Sequence, residues 1–448
     1  MPVPRPHRRR ADAGPLSVRV IRPTIRDPRF VMLLAAQTVN SVGGWACGIA
    51  LWGFAAYRYH AGPLPVALLT LCWAAPPAVL GPLLGMSVDR LGPQRALTLG
   101  YLAAAAAAAG LASAGSPAAL ALAAVGYGVT RALTGPAAAA LPPRIVAGED
   151  LLAANSLLGA AGPAGQILGP LAASATLAAA GFRAVFLMDA ASYLIAAWAV
   201  ATLPGRPRPG PPERPERTGP RAGQLAGLRV SLLAGLRHGL AEARQQRVVR
   251  VLLGLGAAVT FTSGAFLVIE PLYAGRVLGR PPAQFALFEA VAGTGAVLAS
   301  LAMSRFPGRL MSRWPGRLTG VRAAAVAACG YGVSAAAFAG TPWIPVAYAG
   351  AFAWGVSGAV FAVILTTALQ QQVPVQAHGR VMGLAAALYS AADTAGLPAA
   401  AIVLVLLSVR AGALALAGVA VVAGLAAATR GPRLRIGGCP RAGPGHNC

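Results

Sequence analysis

The chain has 448 residues, 56% of them hydrophobic and only 11% charged, yet it carries a formal charge of +25. Soluble domains hold about a quarter charged residues, so this composition excludes one and points to a polytopic membrane protein. All 37 basic residues are arginine, and they fall in loops and tails rather than on one aromatic-interleaved face, which argues against a nucleic-acid partner.

Residues 1–29 form a basic tail with "RPHRRR" at 5–10. No small-residue cleavage site follows a short apolar core there, so no cleaved signal peptide is expected. A bilayer core about 30 Å thick takes about 20 apolar residues per helix. Windows of that length predict six spans, at 30–57, 65–88, 96–114, 118–141, 154–180 and 182–203. Between the second and third, charge is concentrated in Gly85-Met-Ser-Val-Asp89-Arg90-Leu91-Gly92-Pro93-Gln94-Arg95. Gly85 lets a neighbouring helix approach, Gly92 and Pro93 turn the chain, and Arg90 and Arg95 stay at the wet interface. A carboxylate at Asp89 can accept hydrogen bonds from the open N–H groups at the start of a neighbouring helix.

Arg131 falls within the fourth span. An arginine in hydrocarbon costs at least about 2.5–3.5 kcal/mol, so it must face a wet cavity or a carboxylate. On the fifth span, Gly165 and Gly169 permit close helix packing. Pro170 removes one backbone hydrogen bond, so that the helix can bend.

The run "RPRPGPPERPERTGPRAG" at 206–223 cannot form a buried helix and divides six spans from six. This gives an N-terminal bundle over 30–203, a cytoplasmic linker over 204–247, a C-terminal bundle over 248–429 and a tail over 430–448. Within the linker, Leu225, Leu228, Leu232, Leu236 and Leu240 recur at helical spacing beside Arg229, Arg237 and Arg244, as in a helix lying on the membrane surface. The second half predicts spans at 248–273, 284–303, 320–340, 342–369, 381–408 and 411–429. Blocks such as "YLAAAAAAAGLASAG" show no alternation, so the fold is all-α rather than a β-barrel. The loops at 140–159 and 368–387 echo one another, as in a duplicated transporter with its substrate between the repeats.

Arginine placement sets orientation. About 31 of the 37 arginines lie on the side of both termini and about five opposite, which makes both ends cytoplasmic. Cys47, Cys72, Cys329, Cys439 and Cys448 show no metal spacing, and no disulfide is expected. Four acids fall within or at the ends of spans: Asp189, Glu270, Glu289 and Asp393. Glu270 and Glu289 fall toward the outer ends of spans seven and eight, where a charged side chain stays hydrated, and Asp393 near the middle of span eleven.

The spacing GxxxDRxGxxR at Gly85–Arg95 resembles motif A of the major facilitator superfamily. The resemblance implies a fold of two pseudo-symmetric six-helix bundles and makes Gly85, Asp89, Arg90, Gly92 and Arg95 a conformational gate, with Asp89 docking on the eleventh helix near Gly379–Met382. Arg131-Ala-Leu-Thr134-Gly135 is similar to motif B, with Thr134 in place of the usual Gln, which implies proton coupling. Gly165-Gln-Ile-Leu-Gly169-Pro170 is similar to the core of motif C, associated with proton-coupled exporters, though Ala173 and Ser174 stand where glycines are usual. The stretches "LPPRIVAGEDLLAANSL" at 141–157, "FLMDAASYLIAA" at 186–197 and "QQVPVQAHGRVMGL" at 371–384 resemble the enterobactin-exporter-like and macrolide-efflux-like branch.

Its depth in span eleven ranks Asp393 with Arg131 as the leading coupling candidates, with Asp189, Glu270 and Glu289 behind them. Gly44 stands about where related transporters often place an acid. A neutral wall there suits a bulky apolar or cationic molecule, with Gln37, Asn40, Trp45, Trp52, Tyr127, Trp354 and Tyr389 available to line it. There is no phosphate loop, no His/Cys cluster and no nucleophile–base pair. The expected protein is a monomeric, cofactor-free exporter of drug-like or natural-product molecules in the bacterial inner membrane, driven by a proton gradient. An importer or lipid-moving facilitator on the same fold, and a non-transporting scaffold or receptor, are the alternatives.

Overall fold

The computed structural model describes residues 27–59, 62–146, 151–159, 161–203, 246–305, 320–373 and 378–430. The tails, the linker with its amphipathic leucines, the loop at 306–319, Cys439 and Cys448 lie outside the described residues. In chain order the helices are α1 (Pro28–Arg58), α2 (Pro63–Leu91), α3 (Pro93–Ser113), α4 (Pro117–Ala139), the short α5 (Pro142–Ile145) and α6 (Leu151–Gly159), and α7 (Ala161–Ala201). There follow α8 (Arg247–Leu272), running on as a π-turn over Tyr273–Val277, then α9 (Pro282–Arg305), α10 (Gly320–Ala339), α11 (Ile344–Gln372), α12 (His378–Leu406) and α13 (Val409–Arg430). Proline opens each of α1 to α4, where its missing N–H has no helical partner to lose.

Eleven helices are long and apolar enough to cross a membrane, and one of them crosses twice. In α7 the backbone at Gly181 takes φ 75° and ψ −173°, a conformation that favours glycine. Thr176 Oγ1 then lies 3.6 Å from Met188 Sδ. Twelve residues of continuous helix would separate them by about 18 Å, so the chain reverses at Gly181 into two arms. Among the described residues this makes twelve passes, as the hydropathy expects, and it puts the start of α1 and the end of α13 on one face, termed here the terminal face.

Core packing distinguishes that face from the distal one. One apolar cluster runs through the N-terminal half and across to the C-terminal half, taking in Phe266, Phe285, Phe338, Ala347, Leu397 and Ala413. Every C-terminal member lies toward the distal ends of its helix. A second cluster, with Val249, Leu252, Ala324, Leu365, Val381 and Ala420, holds only residues of the C-terminal half and lies toward the terminal face. The two halves therefore share a core distally and part toward the terminal face.

Cross-half contacts repeat this. Ser174 Oγ donates to the Ala283 carbonyl at 2.8 Å. Gly53 sits against Phe182 and Phe285, and Gly275 against Tyr57. Each missing side chain lets two helices approach where a larger residue would hold them apart.

Candidate functional site

A cavity of about 350 Å³ lies inside the N-terminal half. Gln37, Asn40, Trp45 and Trp52 of α1 line it, with Trp73 of α2, Tyr101 of α3, Tyr127 and Arg131 of α4, and Tyr193 of the second arm of α7. A second space of about 380 Å³ shares Gln37, Asn40, Ser41 and Ala138 with it and runs past Pro142 and Asn155, so the pair opens toward the terminal face. Trp354 and Tyr389 are elsewhere: Trp354 packs on Phe266, Tyr331 and Phe338, and Tyr389 lies on Gly256.

The glycines of the fifth span shape this wall. A Cβ on Gly165 would land on Ser41, including its carbonyl oxygen at 2.7 Å, and one on Gly169 would lie 3.0 Å from the Val42 carbonyl. Their absence presses α1 onto the first arm of α7 and fixes Ser41 and Trp45 at the cavity. Pro170 is buried within that arm.

The wall is aromatic with one cation. Arg131 places its guanidinium carbon 4.1 Å over the Trp73 ring, an arrangement worth about 0.5–2 kcal/mol. The Trp73 and Trp52 rings meet edge to face at 6.0 Å. Asn40 Oδ1 and the indole nitrogens of Trp52 and Trp73 have no hydrogen-bond partner among the described residues. Each buried bond left unmade costs about 1–3 kcal/mol, so this wall suits a guest or water that supplies polar groups.

Behind the wall, Asp189 is fully buried. Tyr127 Oη donates to its Oδ2 at 2.8 Å, Ser192 Oγ shares its hydrogen between the Asp189 backbone carbonyl at 2.7 Å and Oδ1 at 3.3 Å, and Tyr193 Oη donates to Tyr127 Oη at 3.1 Å. The Cys47 thiol lies beside the carboxyl, and Arg131 acts on it at longer range. Sequence reading names Asp189, Arg131 and Tyr127 singly and gives Cys47 no role at this site. It missed Ser192, Tyr193 and Trp73, although "DAASY" places Ser192 and Tyr193 one helical turn beyond the acid.

The C-terminal half gathers the other acids. Glu270, expected to stay hydrated, is instead 2% exposed. Its carboxyl contacts that of Glu289, and its Oε1 has no partner. The distal seal around Phe266, Ile269, Phe285 and Phe288 excludes the water that hydropathy alone places there. Asp393 does not meet Arg131. Its backbone carbonyl faces Gly264 of α8, and its charge reaches Tyr331, as does that of Glu270.

Of the residues expected to form a gate, Gly92 takes φ 81° and separates α2 from α3, its N–H donating to the Val88 carbonyl at 2.9 Å. Arg90 and Arg95 are exposed on either side. Gly85 and Asp89 lie on α2, and their immediate surroundings fall outside the described residues. Gln94, which sequence reading passed over, donates through Nε2 to the Val200 and Leu203 carbonyls at 3.0 and 2.8 Å, tying the loop to the end of α7. Among the described residues no cluster of His, Cys, Asp and Glu could hold a metal ion.

Twelve apolar passes, an aromatic cavity within the N-terminal half, and halves joined at one face and parted at the other define a membrane protein of transporter architecture. The chain belongs to the major facilitator superfamily, whose family model matches residues 33–392. It is 41% identical over 70 residues to an uncharacterized transporter of that type, YfiS of Bacillus subtilis (strain 168). That match spans 15% of this chain and 17% of the relative. The fold is similar to that of a solved peptide transporter, POT (TM-score 0.68, 16% identity, 90% of this chain and 94% of that one). It is also similar to a bacterial homologue of the human lysosomal transporter Spinster, solved in an inward-facing, unoccupied conformation (TM-score 0.63, 15% identity, 90% and 94%), and to a bacterial homologue of the iron transporter ferroportin in an inward-facing state (TM-score 0.64, 17% identity, 90% and 99%). At these identities the likenesses show the fold alone.

Proposed function

We propose that the protein is a secondary transporter that exports a small drug-like or natural-product molecule, of antibiotic or siderophore type, across the bacterial cytoplasmic membrane in exchange for protons. The observation that carries this reading is the aromatic cavity that opens toward one face in a chain whose halves are sealed together at the other. Such a chain can load a guest from the open side and release it once the seal moves. The arginine bias makes the terminal face cytoplasmic, so loading is from inside. Asp89 is the proposed latch of the opposite state: α2 packs against α12, and the end of α2 that carries Asp89 and the start of α12 at His378 both belong to the terminal face. Arg90 and Arg95 hold that junction at the membrane surface, and Gly165, Gly169 and Pro170 let the first arm of α7 flex against α1.

The test is accumulation of a panel of fluorescent and radiolabelled drugs in efflux-deficient bacteria that express the protein, with and without an ionophore. Lowered accumulation that the ionophore restores is expected. Raised accumulation would assign import, and ionophore-insensitive flux would remove proton drive. Asp89→Asn is expected to shift the inward/outward balance in vesicles; an unchanged balance would remove the latch.

A further inference from the structure

Asp189 costs more than packing requires. A carboxyl buried within a membrane bundle is tolerated only with dedicated partners, and an amide would accept the same Tyr127 hydrogen bond at that position without a charge to bury. What the carboxyl adds is a place for a proton, and the bonds leading to it run in one direction. Tyr193 Oη donates to Tyr127 Oη, and Tyr127 Oη donates to Asp189 Oδ2. Both tyrosines line the cavity, and Tyr193 Oη receives no hydrogen bond from any described residue. The row of hydroxyls therefore begins at the cavity wall and ends on the carboxylate.

The groups around Asp189 are few. From α1 comes Cys47, from α4 Tyr127 and Arg131, and from its own arm Ser192 and Tyr193. Tyr101 of α3 packs on the Tyr193 ring at 5.7 Å and spends its own hydroxyl on Gln37 Oε1 at 3.2 Å. Among the described residues Arg131 is thus the one cation acting on the carboxyl, and it stands on the wall itself.

We propose that Asp189 is the proton-binding group of this protein, loaded from the cavity through a relay of Tyr193 and Tyr127, and that Arg131 converts its occupancy into the charge of the cavity wall. In the loading step a cavity hydronium gives a proton to Tyr193 Oη as Tyr193 passes its own to Tyr127. Tyr127 passes its own proton to Oδ2. Each tyrosine ends neutral, one water is left in the cavity, and the carboxylate has become the acid. Before loading, Arg131 and Asp189 offset one another. After it, Arg131 stands uncompensated and the wall is positive by one charge, which disfavours a cationic guest. Proton and cation then exclude each other by linkage, whichever binds first, as exchange requires. The assignment rests on the proton-exchange reading above and departs from the Asp393 expectation, because Asp393 has no such path to the cavity.

The test needs no substrate: infrared difference spectra of the full chain in lipid vesicles between about pH 5 and about pH 9, with the rate followed after a pH jump. Wild type is expected to show a carboxylic-acid C=O band that Asp189→Asn removes while bands from Glu270, Glu289 and Asp393 remain. Tyr193→Phe keeps the ring and leaves Asp189 bonded to Tyr127 and Ser192, so a purely structural role predicts no change; the relay predicts loading slowed about tenfold or more. A spectrum unaltered by Asp189→Asn, or a rate unaltered by Tyr193→Phe, overturns the proposal. Should Asp189→Asn fail to fold, Tyr193→Phe decides alone. Ionophore-sensitive efflux without an Asp189 band sinks this assignment only, and a relayed Asp189 band without ionophore-sensitive flux sinks the transport reading only.

Discussion

The two halves bury their acids by opposite means. In the N-terminal half a single carboxyl has donors on both oxygens and a cation beyond them. In the C-terminal half two carboxyls face each other and one oxygen is left without a partner. The first arrangement is complete as it stands; the second needs a proton, water or another conformation to complete it. The contrast follows from position. Asp189 lies beside the cavity, whereas Glu270 is held in the apolar seal that joins the halves.

The comparison assumes that both halves are rigid enough to hold such sites, and close helix crossings supply the rigidity. In the first half Gly165 rests on Ser41; in the second Gly264 rests on the Asp393 carbonyl. Gly165→Leu and Gly264→Leu should each cost about 3 kcal/mol or more through overpacking, the largest effects expected, seen as loss of monodisperse protein on size exclusion. Gly126→Leu, with nothing near its Cβ position, should fold. If Gly264→Leu alone were tolerated, the second half would be looser than its acid pair implies.

Removing one acid from each half tests the contrast directly. Glu270→Gln keeps the shape of the side chain and removes one of two carboxyls in contact, so the thermal midpoint should rise by about 1–4 °C. Asp189→Asn removes the buried charge together with its attraction to Arg131, so its midpoint should not rise. A fall in both variants would show that the Glu270–Glu289 contact stabilises the protein, and the proposed asymmetry would be wrong.

Arg131 ties the first half's acid to its cavity. Arg131→Ala should reduce ionophore-sensitive efflux at least tenfold, because both the stacking on Trp73 and the counter-charge are lost. Arg131→Lys, which keeps the charge without the planar fork, should recover part of it. Equal rates in all three would detach Arg131 from transport.

The passes were legible in the sequence because each needs its own run of apolar residues, and even the reversal at Gly181 falls in the one-residue gap between the expected spans 154–180 and 182–203. The site was legible only in pieces. Arg131 and Asp189 stand out as charges in hydrocarbon, but the bonds that join their surroundings link residues 62 and 66 positions apart, a separation that no local period encodes. Pairing Arg131 with Asp393 followed from depth along the spans, which says nothing about which half a side chain faces. The burial of Glu270 was hidden for a related reason: the apolar cluster that takes in Ile269 and Leu272 beside it draws Phe285, Phe288 and Phe338 from other helices.

The smallest effect expected is at Gln94, where the gate loop is tied to the end of α7. Gln94→Ala removes two hydrogen bonds to carbonyls that end a helix, at about 0.5–1.5 kcal/mol each, for a fall in thermal midpoint of about 1–3 °C in a chain of this length. Since Val200 and Leu203 lie where the first half ends, the more telling readout is conformational. With the tie cut, α3 and α7 can separate at the terminal face, and a spin-label pair across that face should show a broader distance distribution than wild type. A lowered midpoint with an unchanged distribution would make Gln94 a helix cap and leave the gate to Asp89 and its arginines.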